Sequence, residues 1–321
     1  MAVYTNISAE ALAELLAGYD LGEPLGLTGV AEGIENSNFR LRTEAGVFFL
    51  TVFERRVREG DLPYFLDLMR WLAGRGFPCP EPQADRRGRL LARVAGKPAA
   101  IVSFMPGRTL KRPNVRQCRA AGEGLARLHL AAEGFPMRRA NDFGQPAWAA
   151  QFQGLRAAAE GLKPGLAAEI DEDQSALALA WPRSLPAGTI HADLFPDNTL
   201  FEGDRFVGAI DFYFACTDLL AYDVAVCLNS WCFETDGSFN LTHARAFTAG
   251  YESRRPLSPD ERNALPLLAR GAAMRFFLTR LHDWGAAPAG ALVRPKDPME
   301  YVARLRFHRE AMGLALFGED A

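Results

Sequence analysis

The sequence predicts an α+β fold in two lobes: a small antiparallel β-sheet lobe over residues 1–106 and a larger, mainly helical lobe over residues 107–321. Two observations carry that prediction. Five strand-like runs precede Met105-Pro106-Gly107, where proline and glycine directly after an apolar strand suit a hinge. Helical periodicity dominates after it, interrupted by one hairpin between residues 199 and 210. At 321 residues the chain can bury a large core and divide in this way.

In chain order, Ser8 caps a first helix with Leu12, Leu15 and Leu16 on its buried face. Residues 25–30, 39–43 and 47–53 read as strands, the last two joined by a tight turn at Glu44-Ala45-Gly46. Between the first two strands lies Glu32-Gly33-Ile34-Glu35-Asn36-Ser37-Asn38, which is not a G-x-G-x-x-G. An Asn/Ser/Gly stretch is by itself only a turn signal. Here, next to a strand pair, its backbone N–H groups around Gly33, with Asn36, Ser37 and Asn38, are candidates to meet phosphate oxygens. A helix over 60–75 follows, with Pro63 in its first turn and Gly74 and Gly76 at its end. Strands at 90–94 and 99–104 complete the sheet. Larger-lobe helices are expected at 115–129, 148–162 and 166–179, with Lys163-Pro164-Gly165 as a break. After the hairpin, helices are expected at 219–231, 238–251, 261–284 and 299–316.

Composition narrows the function classes. The chain is 49% hydrophobic and 23% charged with a net charge of −3, an ordinary soluble globular balance that gives no electrostatic reason to expect nucleic acid. No apolar run reaches the ~20 residues of a membrane span, and no basic segment followed by an apolar core marks a secretory signal. The five cysteines are odd in number and form no C-x-x-C, which fits a reducing cytoplasm and buried apolar roles rather than zinc.

The hairpin carries the chemistry. His191-Ala192-Asp193-Leu194-Phe195-Pro196-Asp197-Asn198 precedes it and Asp211-Phe212 follows it. Phosphoryl transfer from ATP needs a carboxylate to accept the hydroxyl proton, and an amide oxygen plus a second carboxylate to hold magnesium against the phosphates. Protein kinases supply these as an Asp, an Asn five positions later, a hairpin, then Asp-Phe. Asp193, Asn198 and Asp211 repeat that spacing, so the fold is expected to be protein kinase-like. Asp193 is the candidate base, Asn198 and Asp211 the metal ligands, and ATP and Mg2+ the expected cofactors. His191 reads as a packed histidine, and so does His129.

One departure stands out. Thr51 occupies the strand position where a kinase places a lysine for the α/β-phosphates. Glu54, Arg55 and Arg56 follow it, so either a neighbouring arginine supplies the charge or magnesium carries more of it. Adenine is expected against the exposed backbone at Phe104 and Met105.

The loop also lacks the arginine that in protein kinases pairs with a phosphorylated activation loop, and only six residues separate Asp211 from Asp218. The expected substrate is therefore small. A carboxylate on it would want a forked arginine and an ammonium would want carboxylates. Arg275 is the candidate for the first, on one helix face with Thr279 and His282. Asp218, Asp223 or Glu234 is the candidate for the second, although Asp223 can instead cap a helix and Asp218 can shape the metal loop.

H-A-D-L-F-P-D-N resembles the H-G-D-x-x-x-x-N loop of the aminoglycoside phosphotransferase and choline kinase-like enzymes. The following I-D-F-Y-F-A-C-T-D-L-L-A-Y-D-V-A-V-C-L-N-S-W-C-F-E and the N-terminal M-A-V-Y-T-N-I-S are similar to the kinase-fold homoserine kinases. The likeness runs over nearly the whole chain. It implies ATP-dependent phosphorylation of L-homoserine in threonine biosynthesis. The rival expectations are a related kinase for choline, an aminoglycoside or a sugar, and a pseudokinase that binds nucleotide without turnover.

Overall fold

The computed structural model describes residues 5–30, 36–54, 57–286 and 296–311. Helix α1 (Ala9–Leu16) is capped by Ser8, whose Oγ accepts a hydrogen bond from Ala11 N, and it buries Leu12, Leu15 and Leu16. Strands β1 (Pro24–Gly29), β2 (Ser37–Thr43) and β3 (Gly46–Val52) lead to helix α2 (Leu62–Gly74), with proline in its first turn as expected. Strands β4 (Ala92–Val94) and β5 (Lys97–Ser103) finish an antiparallel sheet ordered β1-β2-β3-β5-β4. The two sheet faces differ. Phe39, Leu41, Leu50, Val52 and Ile101 pack under α1 in a separate small core. Phe53 instead joins the main core with α2, and Phe49 packs partly buried against that core.

The larger lobe holds α3 (Val115–Ala132), α4 (Trp148–Gln153), α5 (Arg156–Leu162), α6 (Leu166–Ala180), β6 (Ala187–Ile190), β7 (Thr199–Glu202), β8 (Arg205–Ala209) and β9 (Cys216–Leu219). Helices α7 (Leu220–Trp231), α8 (Leu241–Glu252), α9 (Pro259–Ala286) and α10 (Met299–Glu310) follow. Two differences from the sequence reading are instructive. The helix expected over 148–162 breaks at Gly154, where glycine costs helix stability and the chain turns into α5. Strands β6 and β9 pair antiparallel, Thr189 opposite Thr217, and so bring the segments flanking the β7–β8 hairpin together. The end of the helix expected at 299–316 lies outside the described residues beyond 311. All five cysteines are buried. Among the described residues no helix is long and apolar enough to cross a membrane.

Helices α3 and α8 touch backbone to backbone. A Cβ on Gly122 would lie 2.0 Å from the Phe247 carbonyl oxygen, and one on Gly250 would lie 2.0 Å from that of Arg119. In an isolated helix alanine would gain about 1 kcal/mol over glycine. Here the helices would have to separate. Gly250→Ala is therefore expected to destabilise the protein by about 3 kcal/mol in urea denaturation; an unchanged or raised midpoint would contradict that packing.

Candidate active site

One face of α7 holds the loop at residues 191–194. Asp223, Cys227 and Trp231 are four residues apart in series and so share that face. Asp223 Oδ2 accepts from His191 N at 2.7 Å, and its Oδ1 accepts from Ala192 N at 2.9 Å. Trp231 Nε1 and Cys227 Sγ both donate to the Leu194 carbonyl. Behind Asp223, His129 Nε2 donates to Oδ2 at 3.1 Å, and its Nδ1 accepts from the Tyr251 hydroxyl at 2.8 Å. Burial alone would raise the Asp223 carboxyl. The hydrogen bonds from His129 and the His191 backbone more than offset that and hold it below the usual carboxylate range. These contacts fix Ala192 in the left-handed region at φ 62°, a conformation costing an alanine about 1–2 kcal/mol. Glycine fills that place in the H-G-D loops.

Asp223 was a candidate for a substrate ammonium. It is fully buried with both oxygens engaged by the loop, so the structure assigns it to holding the backbone instead. Glu234 is corrected likewise. Its Oε1 accepts from Asn240 Nδ2 at 2.6 Å, and Asn240 is the N-cap of α8; the carboxylate thus shapes an exposed turn.

His191 joins two segments. Its Nε2 donates to the Ile210 carbonyl at 3.0 Å, its Nδ1 accepts from Asp193 N, and its ring lies 4.8 Å from Phe212. Burial pushes its pKa down, consistent with a neutral ring in that arrangement. Ile210 N also donates to the Asn198 carbonyl at 3.0 Å. The hairpin therefore returns the chain so that exposed Asp211, itself at φ 63°, follows directly on the backbone tied to Asn198.

Asn198 Nδ2 donates to both the carbonyl and the Oδ2 of Asp193, at 2.8 and 2.9 Å. Both neighbours are acceptors, so the amide can face them only with its NH2 group, and Oδ1 keeps its acceptor capacity. From α9, buried Arg275 donates to the Ala192 carbonyl at 2.9 Å and stands 3.8 Å from Asp193 Oδ1. Its guanidinium lies over Phe276 at 3.8 Å, with Phe214 and Phe143 at 5.1 and 5.5 Å. Arg275 is thus no solvated helix residue. Burial pushes the Asp193 carboxyl up to about 8; Arg275 opposes this, while the Asp211 and Asp197 charges add to it. Asp218 is half-buried, with Oδ2 accepting from Asn141 Nδ2 at 2.7 Å, and burial raises its pKa.

On the sheet side, Gly33, Arg55 and Arg56 lie outside the described residues. Ser37 is fully buried, and its hydroxyl donates to Glu54 at 2.7 Å and accepts from Thr5 N, so its side chain does not face a phosphate. Asn36 Oδ1 accepts from Glu54 N, and Asn38 Oδ1 accepts from the Thr51 hydroxyl at 2.9 Å. Lys97 ion-pairs with the same Glu54 and donates to Thr5 Oγ1. It is therefore engaged elsewhere rather than standing in for the missing strand lysine. Phe104 is exposed at the hinge, stacked on Phe49 at 5.7 Å, with Arg40 over it at 5.4 Å. Met105 packs on Gly208, where a Cβ would lie 2.3 Å from its Cε.

The sequence reading missed Arg139, Asn141 and Tyr213. Arg139 bonds Asp61 at 3.0 Å and Asp142 at 2.5 Å, and its backbone pairs with Thr217. Arg139 and Asn141 are marked only by the fold, which sets them against Thr217 and Asp218. Tyr213 follows Asp211 by two residues, and it is its contacts with Phe53 and Phe65 that no local motif shows.

A phosphotransferase enzyme family model matches residues 26–257. A homoserine kinase from Caulobacter sp. (strain K31) is 64% identical, aligned over 100% of both chains. One from Rhodopseudomonas palustris (strain BisB18) is 56% identical, over 100% of this chain and 98% of its own. Among solved structures, an amicoumacin kinase in complex with AMP-PNP and Ca2+ superposes with a TM-score of 0.70 at 17% identity, covering 97% of this chain and 95% of that one. A choline kinase from Cryptosporidium parvum superposes with a TM-score of 0.66 at 15% identity, covering 96% and 98%. The two-lobed fold is kinase-like.

Proposed function

The chain belongs to the phosphotransferase enzyme family, and from within it we propose that it is an ATP-dependent kinase of L-homoserine acting in threonine biosynthesis. The observation that carries the mechanism is the Asp193–Asn198 contact beside Arg275. Asp193 accepts the proton of the acceptor hydroxyl while that oxygen bonds to the γ-phosphorus. The bond from phosphorus to the β,γ-bridging oxygen breaks, and its electron pair leaves with ADP. The Asn198 amide fixes the Asp193 carboxylate, and Ala192 and Arg275 fix the peptide that carries it.

Asn198 Oδ1 and the Asp211 carboxylate are hard oxygen donors of the kind that hold Mg2+ together with substrate phosphates. Held there by Asn198 and Asp211, magnesium would supply positive charge that offsets the charge developing on the transferring phosphoryl group. Burial is the main reason the Asp193 carboxyl is raised, and a positive ion beside Asp211 would relieve the smaller part that the Asp211 charge adds. Asp211→Ala is expected to abolish turnover or raise the magnesium requirement by more than about tenfold, in a magnesium titration of activity. An unchanged metal profile would contradict the assignment.

For the acceptor, Arg275 is our choice for the carboxylate and Asp218, steadied by Asn141, for the ammonium. Phe104 and Met105 would meet adenine through their backbone. A buried guanidinium next to Asp193 disfavours choline or an aminoglycoside, whose cationic groups it would repel. Turnover of ATP against L-homoserine, L-serine, L-threonine, choline and kanamycin tests the choice. The expected result is magnesium-dependent turnover with homoserine far above the rest. Preference for another acceptor would retain the phosphotransfer and discard homoserine.

A further inference from the structure

The metal loop is docked by three successive rings, each seated on a different element. Phe212 lies against His191 of the 191–198 loop. Phe214 lies 5.6 Å from Phe143 and under Arg275. Tyr213, between them, enters the gap between sheet and helix. Its ring meets Phe53, just past β3, edge-on at 5.3 Å, and Phe65 of α2 edge-on at 5.7 Å. Phe53 and Phe65 are both buried. Thr51, in the strand position of the missing lysine, faces the Tyr213 hydroxyl.

In protein kinases, the strand lysine does two things: it contacts the phosphates, and it pairs with a helix glutamate so that sheet and helix are registered against the metal site. Here the strand offers a threonine hydroxyl bonded to Asn38. The acid within α2, Asp67, is paired outward with Arg70 at 2.6 Å. That ion pair is not available, yet α2 and β3 meet across a ring two residues from Asp211. Arg139 adds a second tie from the same side, bonding Asp61 at the start of α2 and lying 5.1 Å over Phe65.

We propose that Tyr213 is a positioning residue: wedged between Phe53 and Phe65, it registers β3 and α2 against Asp211 and takes over the mechanical half of the lysine–glutamate pair. The inference rests on the reading of Asp211 as a magnesium ligand. Its consequence is that removing the ring loosens the metal-dependent part of nucleotide binding while leaving the metal-free part alone.

The test is calorimetric titration of ADP into the full-length protein, in magnesium and in EDTA, without turnover. Tyr213→Leu removes two edge-to-face contacts and is expected to weaken MgADP binding by about tenfold, or about 1.4 kcal/mol. ADP affinity in EDTA and KM for homoserine should stay within about twofold. Tyr213→Phe keeps both contacts and should bind MgADP as the wild type does. Phe65→Leu, which removes the α2 partner of Tyr213 together with the Arg139 contact over that ring, should show the same magnesium-specific loss. It serves as the test should Tyr213→Leu not fold. Equal losses with and without magnesium would overturn the proposal, because they would mark general loosening. Wild-type MgADP affinity in Tyr213→Leu, or in Phe65→Leu if that variant alone folds, would also overturn it. Asp211→Asn separates the two ideas. If it loses MgADP affinity while the ring variants keep theirs, the inference alone fails. If it keeps wild-type affinity, the metal assignment fails and takes the inference with it.

Discussion

Asp193→Asn is expected to lower kcat by about 10²–10⁴-fold while leaving MgADP binding within about twofold. The substitution is nearly isosteric, and the oxygen that accepts from Asn198 Nδ2 can be kept. What is lost is a group that can take a proton, and with it the charge facing Arg275 at 3.8 Å. Because α7 holds the loop through backbone atoms of residues 191, 192 and 194, the peptide should stay where it is. The loss should therefore fall on turnover alone, read as kcat from steady-state kinetics beside a binding titration. Near-normal turnover would remove Asp193 from the role of base. A parallel loss of nucleotide affinity would mean that its role is structural.

Asp223→Ala should have the largest effect on stability, about 3–5 kcal/mol in urea denaturation, with little residual activity. It strips the acceptor from His191 N, Ala192 N and His129 Nε2 at once, inside a site that excludes water. It also removes the contacts that hold Ala192 at positive φ, so the loop carrying Asp193 should relax. The pH dependence has a definite sign. Asp223 titrates lower in the folded protein than the roughly 3.9 of an unfolded aspartate. Its contribution to stability is therefore complete above that value and is lost as pH falls through the folded one. The variant should lack this acid-side loss. Wild-type stability in Asp223→Ala would contradict the account of the loop.

What the sequence made legible was local. Asp193, Asn198, the hairpin between 199 and 210 and Asp211 are read from spacing, because a hairpin between loop and metal residue is a contiguous piece of chain. The helix cap at Ser8 and the first-turn proline at Pro63 are local chemistry too. Long-range partners were not legible. Asp223 lies on a helix buried on nearly all sides, and only the tertiary fold brings the 191–192 backbone to it. Ser37 looked like a phosphate contact because polar residues in a loop usually face outward, but Glu54, seventeen residues on, claims its hydroxyl. The β6–β9 pair escaped because each strand is four residues long, too short for a period to register. Arg275 was found on a helix face, but its nearness to Asp193 belongs to the packing of α9 against the loop.

The proposed reaction is transfer of the γ-phosphoryl group to the hydroxyl of L-homoserine. Phosphorus NMR of protein incubated with ATP, magnesium and L-homoserine tests it most directly. A new phosphomonoester resonance is expected, coupled to the methylene protons of the acceptor and growing in step with ADP. That resonance should be absent in EDTA and with Asp193→Asn. ADP accompanied only by inorganic phosphate, or no ADP at all from folded, nucleotide-binding protein, would contradict it.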